Sequence, residues 1–189
     1  MTTENYYLTL TCPNRPGIVA AVSTYIFELG GDIEEAQQFD DKASKRFFMR
    51  VSFSCGADSK TLKAGFVEIA KRFDLTWDLR AVKDLKRVLI MASKLDHCLV
   101  DLLYRWRIGE LPMIICGIVS NHPREVYSSI DFADIPFHHL PVTPETKPAQ
   151  EAKLLEIVAD SKVDMVILAR YMQILSDDLS TKLSGRCIN

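Results

Sequence analysis

Four short segments hold the residue types that could do chemistry: Ser93 to His97, Ser120-Asn121-His122-Pro123, Arg170-Tyr171-Met172-Gln173-Ile174-Leu175, and Asn189. The first three follow apolar runs that read as strands buried on both faces. In an open parallel sheet a ligand sits beyond the carboxyl ends of the strands, so these segments are expected to share one edge. None is a phosphate-binding glycine loop: both G-x-G-x-x-G and G-x-x-x-x-G-K are missing, and no nucleotide cofactor is expected. Ser120 to Pro123 is rich in turn formers, and a plain turn accounts for it. Arg170 to Leu175 mixes polar and apolar residues directly after a buried run. There a flat heteroaromatic ligand could meet backbone donors and acceptors, or the loop could simply pack over the sheet.

Other chemistries are excluded by type and spacing. The five cysteines, Cys12, Cys55, Cys98, Cys116 and Cys187, are odd in number and widely spaced, with no Cys-x-x-Cys. A disulfide framework or structural zinc site needs tighter pairs, so each is expected to be a small buried hydrophobe. The four histidines, His97, His122, His138 and His139, contain no i, i+4 pair. No metal site is expected. Lys plus Arg is 23 against 25 Asp plus Glu, a formal charge of -2. A near-neutral chain has no global field to gather nucleic acid or anionic membrane, and basic and aromatic residues do not interleave on one stripe. No apolar run approaches the roughly 18 residues a span requires. Met1-Thr2-Thr3-Glu4-Asn5 lacks the basic start and apolar stretch of a leader, so a cytoplasmic protein is expected.

The elements that must position these residues follow from periodicity. At 189 residues, 48 % apolar and 25 % charged, the chain is ordinary for one or two globular domains. Residues 5–12 alternate through Leu8 and Leu10 as a half-buried strand, broken by Pro13-Asn14-Arg15-Pro16-Gly17. A helix follows with Ile18, Val19, Val22, Ile26 and Leu29 on one face, stopped at Gly30-Gly31. Residues 32–40 alternate through Ile33 and Phe39, Asp40 to Ala43 is a turn, and Phe47, Met49, Val51 and Phe53 share one strand face. Thr61 to Phe73 is helical through Leu62, Phe66, Ile69 and Phe73, and Leu75 to Val82 is a closing strand. Residues 1–83 therefore read β-α-β-β-α-β, an antiparallel sheet with both helices on one face.

From residue 84 the pattern changes. Arg87 to Ala92, Leu111 to Val119, Ile135 to Leu140 and Val163 to Ala169 are apolar strands. Between them lie helices at about 97–106, 124–132 and 144–161, the last with Ala152, Leu155, Ile157, Val158 and Ala159 on its dry side. This alternation predicts a doubly wound, mainly parallel α/β sheet over 84–189. Gly185-Arg186-Cys187-Ile188-Asn189 reads as the start of a further core strand. The sheet is therefore expected to be incomplete within these residues.

At this point particular strings resemble a known family. Val163 to Ser176, read Val-Asp-Met-Val-Ile-Leu-Ala-Arg-Tyr-Met-Gln-Ile-Leu-Ser, is similar to the folate-contact segment of the formyltetrahydrofolate-using formyltransferase fold. Cys116-Gly117-Ile118-Val119-Ser120-Asn121-His122 resembles its second strand and loop. Gly185 to Asn189 resembles the lead into its Asn-x-His signature. The first 83 residues resemble an ACT domain, with Arg15-Pro16-Gly17-Ile18-Val19 as the typical turn. Together with Arg46-Phe47-Phe48-Met49-Arg50, His97-Cys98-Leu99 and Pro136 to Val142, the pairing resembles the formyltetrahydrofolate deformylase family along essentially the whole chain.

That resemblance implies hydrolysis of 10-formyltetrahydrofolate to formate and tetrahydrofolate, in one-carbon metabolism and purine biosynthesis, with folate as substrate and no cofactor. It implies that the Asn189 amide holds the formyl oxygen. The family's His, two residues beyond its Asn, and a more distant Asp have no counterpart here. Leu168, Met172, Gln173, Ile174 and Leu175 would form the folate pocket, with His97 either packing at a helix start or serving the water-attack site. Glycinamide ribonucleotide formyltransferases carry a Gly-Ser-Asn loop after the first strand. Here Ser93-Lys94-Leu95-Asp96-His97-Cys98-Leu99 stands instead, so few backbone N–H groups can converge on a phosphate and water is favoured as acceptor. The ACT resemblance implies a small amino-acid effector near Asn14, Arg15, Pro16, Gly17 and Ile18, and a homo-oligomer. Two other readings compete: formyl transfer to another acceptor, and a non-catalytic amino-acid sensor.

Overall fold

The computed structural model describes residues 3–189; Met1 and Thr2, part of the start read above for a leader, lie outside the described residues. The chain divides into two units, the first ending at Asp84 and the second beginning at Leu85, one residue beyond the boundary expected from the pattern.

The first unit runs β1 (Glu4–Pro13), α1 (Ile18–Glu28), β2 (Asp32–Asp41), β3 (Arg46–Cys55), α2 (Ser59–Phe73) and β4 (Thr76–Ala81). Its antiparallel sheet has the order β2-β3-β1-β4. Alternate residues Tyr6, Leu8, Leu10 and Cys12 of β1 pack with Phe47, Met49, Val51 and Phe53 of β3 under Ile18, Val22 and Ile26 of α1 and Leu62, Phe66 and Phe73 of α2. Each such full burial is worth about 1.5–3 kcal/mol, which is why the period of two decides the sheet face. α2 starts where the Asp58 carboxylate accepts the Thr61 N–H at 2.7 Å, a bond that holds the Asp58 pKa below its ordinary value. α1 has no side-chain cap; Gly17 precedes it at φ 94, a left-handed conformation that favours glycine.

The alternation of β2 departs from the expected one. Ile33 pairs with Phe53, but Glu35 pairs with Ser52, so one extra residue enters β2 between them. This bulge inverts the side-chain parity. Ile33 packs into the helix-covered core, whereas Phe39, opposite Phe48, lies on the open face.

The second unit runs β5 (Lys86–Ala92), α3 (His97–Arg107), β6 (Met113–Ser120), a single 3-10 turn (Arg124–Tyr127), β7 (Phe137–His139), α4 (Lys147–Asp160), β8 (Met165–Ala169), α5 (Asp177–Lys182) and β9 (Cys187–Ile188). All neighbours in the order β7-β6-β5-β8-β9 are parallel. Val88, Ile90 and Ala92 face Leu99 and Leu103 of α3, and Leu89 and Met91 face Leu154, Ile157 and Val158 of α4. Both faces are covered, as the continuous apolar strands require.

Three local expectations are corrected. The helix expected over 124–132 is one 3-10 turn, because Tyr127 and Phe132 pack inward with Phe137 as an aromatic cluster rather than along one helical stripe. The dry side of α4 is Gln150, Glu151, Leu154, Ile157 and Val158, with Ala152 and Ala159 exposed. Of the cysteines, Cys12 and Cys55 are buried, while Cys98, Cys116 and Cys187 are only half-buried. Among the described residues no helix is long and apolar enough to cross a membrane.

Candidate functional site

The chain moves outward from β5 through β6 to β7, then returns to place β8 on the other side of β5. The carboxyl ends of β5 and β8 therefore flank a topological switch point, where a crevice opens in such sheets. A cavity of about 610 Å3 lies there, lined by His97, Cys98, Asp101 and Leu102 of α3, by Ile167, Leu168, Ala169 and Arg170 at the end of β8, and by Asn189. Three of the residues expected from sequence thus come together: His97, Leu168 and Asn189.

Met172, Gln173, Ile174 and Leu175 do not line that cavity. They form the next stretch of loop, with Met172 66 % and Ile174 85 % exposed. Leu175 instead packs against the cluster on the α4 side, together with Leu168. Cys98, Asp101 and Leu102 were not among the residues expected at the site. Their signal was present, since 97, 98, 101 and 102 fall on one helical face. The Asp101 carboxylate is already engaged by Arg105 Nε at 2.9 Å, which leaves His97, Arg170 and Asn189 as polar side chains at the wall with no ion-pair partner among the described residues.

Beneath the loops runs a closed hydrogen-bond chain. The Tyr127 hydroxyl donates to the Ser93 carbonyl at 2.7 Å and meets Ser120 Oγ at 2.7 Å, which itself accepts the His122 N–H at 3.0 Å. Ser93 Oγ donates to Asn121 Oδ1 at 2.8 Å and accepts the Met172 N–H at 3.0 Å. Ser93, Ser120 and Tyr127 are buried, and burial pushes the Tyr127 pKa up, keeping the phenol a donor. Sequence reasoning placed the Ser93, Ser120 and Arg170 segments at one edge; it did not show that the Ser93 side chain hydrogen-bonds the other two. On the α4 side, burial pushes the Tyr171 hydroxyl up to about 12, and Gln150 Nε2 donates to it at 3.4 Å.

The expected effector segment of the first unit is exposed from Asn14 to Gly17. The Asn14 N–H donates to the Lys45 carbonyl at 3.0 Å, and the Arg15 guanidinium lies 5.0 Å from the Phe73 ring centroid. Pro16 and Gly17 lead into α1, and Ile18 is buried in the core. Among the described residues no group of three His, Cys, Asp or Glu side chains is placed to hold a metal ion.

A parallel sheet with a crevice at its switch point, preceded by a βαββαβ sandwich, is the architecture of an ACT domain joined to a formyltransferase-type domain. The chain belongs to the formyl transferase family, whose model matches residues 86–189, and an ACT domain model matches residues 6–64. It is similar to the formyltetrahydrofolate deformylase of Corynebacterium sp. (strain P-1), 43 % identical over 97 % of this chain and 65 % of that protein. It is 39 % identical to that of Bacillus subtilis (strain 168), over 96 % of this chain and 62 % of that protein. A crystal structure of formyltetrahydrofolate deformylase from Burkholderia mallei superposes with a TM-score of 0.85 at 42 % identity, covering 97 % of this chain and 66 % of that one. The chain thus spans just under two thirds of the length of these relatives.

Proposed function

We propose that the full-length gene product hydrolyses 10-formyltetrahydrofolate to formate and tetrahydrofolate. The observation that carries this reading is the cavity at the switch point, where Asn189, His97 and the end of β8 meet in a chain 43 % identical to a deformylase. Water attacks the formyl carbon, the carbon–nitrogen bond to the folate breaks, and the folate nitrogen takes up a proton. The Asn189 amide N–H donates to the formyl oxygen as negative charge develops on it. Main-chain groups near Gln173 and Leu175 pair with the edge of the pterin, and the apolar Met172 and Ile174 cover its face. His97, which lines the same cavity, serves the water that attacks.

The Ser93–Leu99 segment has no cluster of small residues to cradle a phosphate, which favours water over a phosphorylated acceptor. The ACT unit takes a small amino acid as effector near Asn14 to Ile18, and the protein acts as a homo-oligomer in the cytoplasm, in one-carbon and purine metabolism. The test is formate release from 10-formyltetrahydrofolate by the full-length product with no acceptor added. Steady release supports hydrolysis. Release that requires an added amine acceptor points to transfer, and no release under either condition leaves the amino-acid sensor.

A further inference from the structure

The loop that leaves β8 is held from outside the cavity by one face of α4. Glu151 is 8 % exposed, a rare degree of burial for a carboxylate on an amphipathic helix. Both of its oxygens are used: Oε1 accepts the Ser176 N–H at 2.9 Å, and Oε2 accepts the Ser176 hydroxyl. Ser176 in turn caps α5, its Oγ accepting the Leu179 N–H at 3.1 Å. One turn earlier on the same helix, Lys147 Nζ donates to the Ile174 carbonyl at 2.6 Å and stands 4.0 Å from Glu151 Oε1. The near end of the loop is fixed separately, by the Met172 N–H on Ser93 and by the tight turn in which the Arg170 N–H donates to the Leu168 carbonyl at 2.9 Å.

We propose that Glu151 and Lys147 are positioning residues that set the 170–176 loop in a single conformation before substrate arrives. Tyr171 and Leu175 pack inward near the two ends of the loop, but Met172 and Ile174 are exposed, so the order of its middle comes mainly from such backbone anchors. Holding the loop in its binding geometry removes the ordering cost from the binding step. The clamp acts through Ser176 and Ile174, and touches neither the cavity wall nor the reacting atoms. This inference rests on the reading that the loop meets the folate.

The test uses Glu151→Gln, Glu151→Ala, Lys147→Met and Ser176→Ala in the full-length product, with two readouts. Amide hydrogen exchange at residues 172–176 is expected to speed by about tenfold or more in each variant while β5 and β6 keep wild-type protection. The KM for 10-formyltetrahydrofolate is expected to rise about tenfold with kcat within about threefold, the mark of lost ground-state binding rather than lost chemistry. Glu151→Gln and Lys147→Met keep side-chain volume, so they decide the matter if Glu151→Ala fails to fold. Unchanged exchange at 172–176, exchange raised across the whole second unit, or a fall in kcat at constant KM overturns the proposal. Exchange needs no substrate. A wild-type protein that releases no formate therefore refutes the functional reading while the clamp is still decided.

Discussion

Ser93 and Met172, 79 residues apart in the chain, are joined by one hydrogen bond, with Ser93 Oγ accepting the Met172 N–H at 3.0 Å. It spans the switch point of the second sheet, tying the end of β5 to the loop after β8. The same hydroxyl donates to Asn121, so three strand ends share one buried side chain. The geometry of the crevice is therefore set by polar groups that do not themselves line it.

Tyr127→Phe tests that network. It leaves the Ser93 carbonyl and Ser120 Oγ without their partner in a buried site, which costs about 1–3 kcal/mol. The denaturant midpoint should fall with an unchanged slope, since native compactness is unaltered.

His138 packs against Gly117, where an added Cβ would meet its Nε2 at 3.2 Å. Burial lowers the His138 pKa from its ordinary 6.5, with a smaller push from Lys153. The unfolded chain then binds the proton more readily than the folded one. Stability should therefore fall as pH drops from about 6.5 through the lowered value, and hold above it. Denaturation midpoints against pH should show this loss, and His138→Gln should remove it.

Gly117→Ala should be destabilising by about 1–3 kcal/mol, because the new methyl is also 3.3 Å from Cδ1 of the fully buried Leu89. Thermal unfolding of the variant against wild type reads this directly.

Leu154→Ala and Ala159→Ser separate the observed dry side of α4 from the one its composition suggests. Leu154 is fully buried, and its truncation should cost about 2–5 kcal/mol. Ala159 is exposed, and its substitution should stay within about 0.5 kcal/mol. Chemical denaturation of both variants checks the pair.

Much of this architecture was legible in the sequence because burial follows period. Leu8 and Leu10, or Arg87 to Ala92, declare their faces by spacing alone, and the order of strands and long helices follows. The β2 bulge was not legible: one extra residue leaves the local pattern alternating while putting Ile33 and Phe39 on opposite faces. α5 was missed because its six residues, Asp177–Lys182, are mostly polar and too few for a periodicity. At the candidate site, that His97, Leu168 and Asn189 share one cavity was legible because they end or follow strongly patterned elements. Glu151 was not, since a carboxylate on an amphipathic helix ordinarily faces water. Only its partner Ser176, 25 residues on, explains its burial.

The central claim, that the cavity at the switch point is where the formyl group is hydrolysed, is tested most directly by the kcat/KM of formate release for Asn189→Ala against wild type in the full-length product. Loss of a donor to the developing oxyanion predicts a fall of about 100-fold or more, with folding and folate binding retained. A variant within about twofold of wild type would contradict the claim, because Asn189 would then make no contact that strengthens in the transition state.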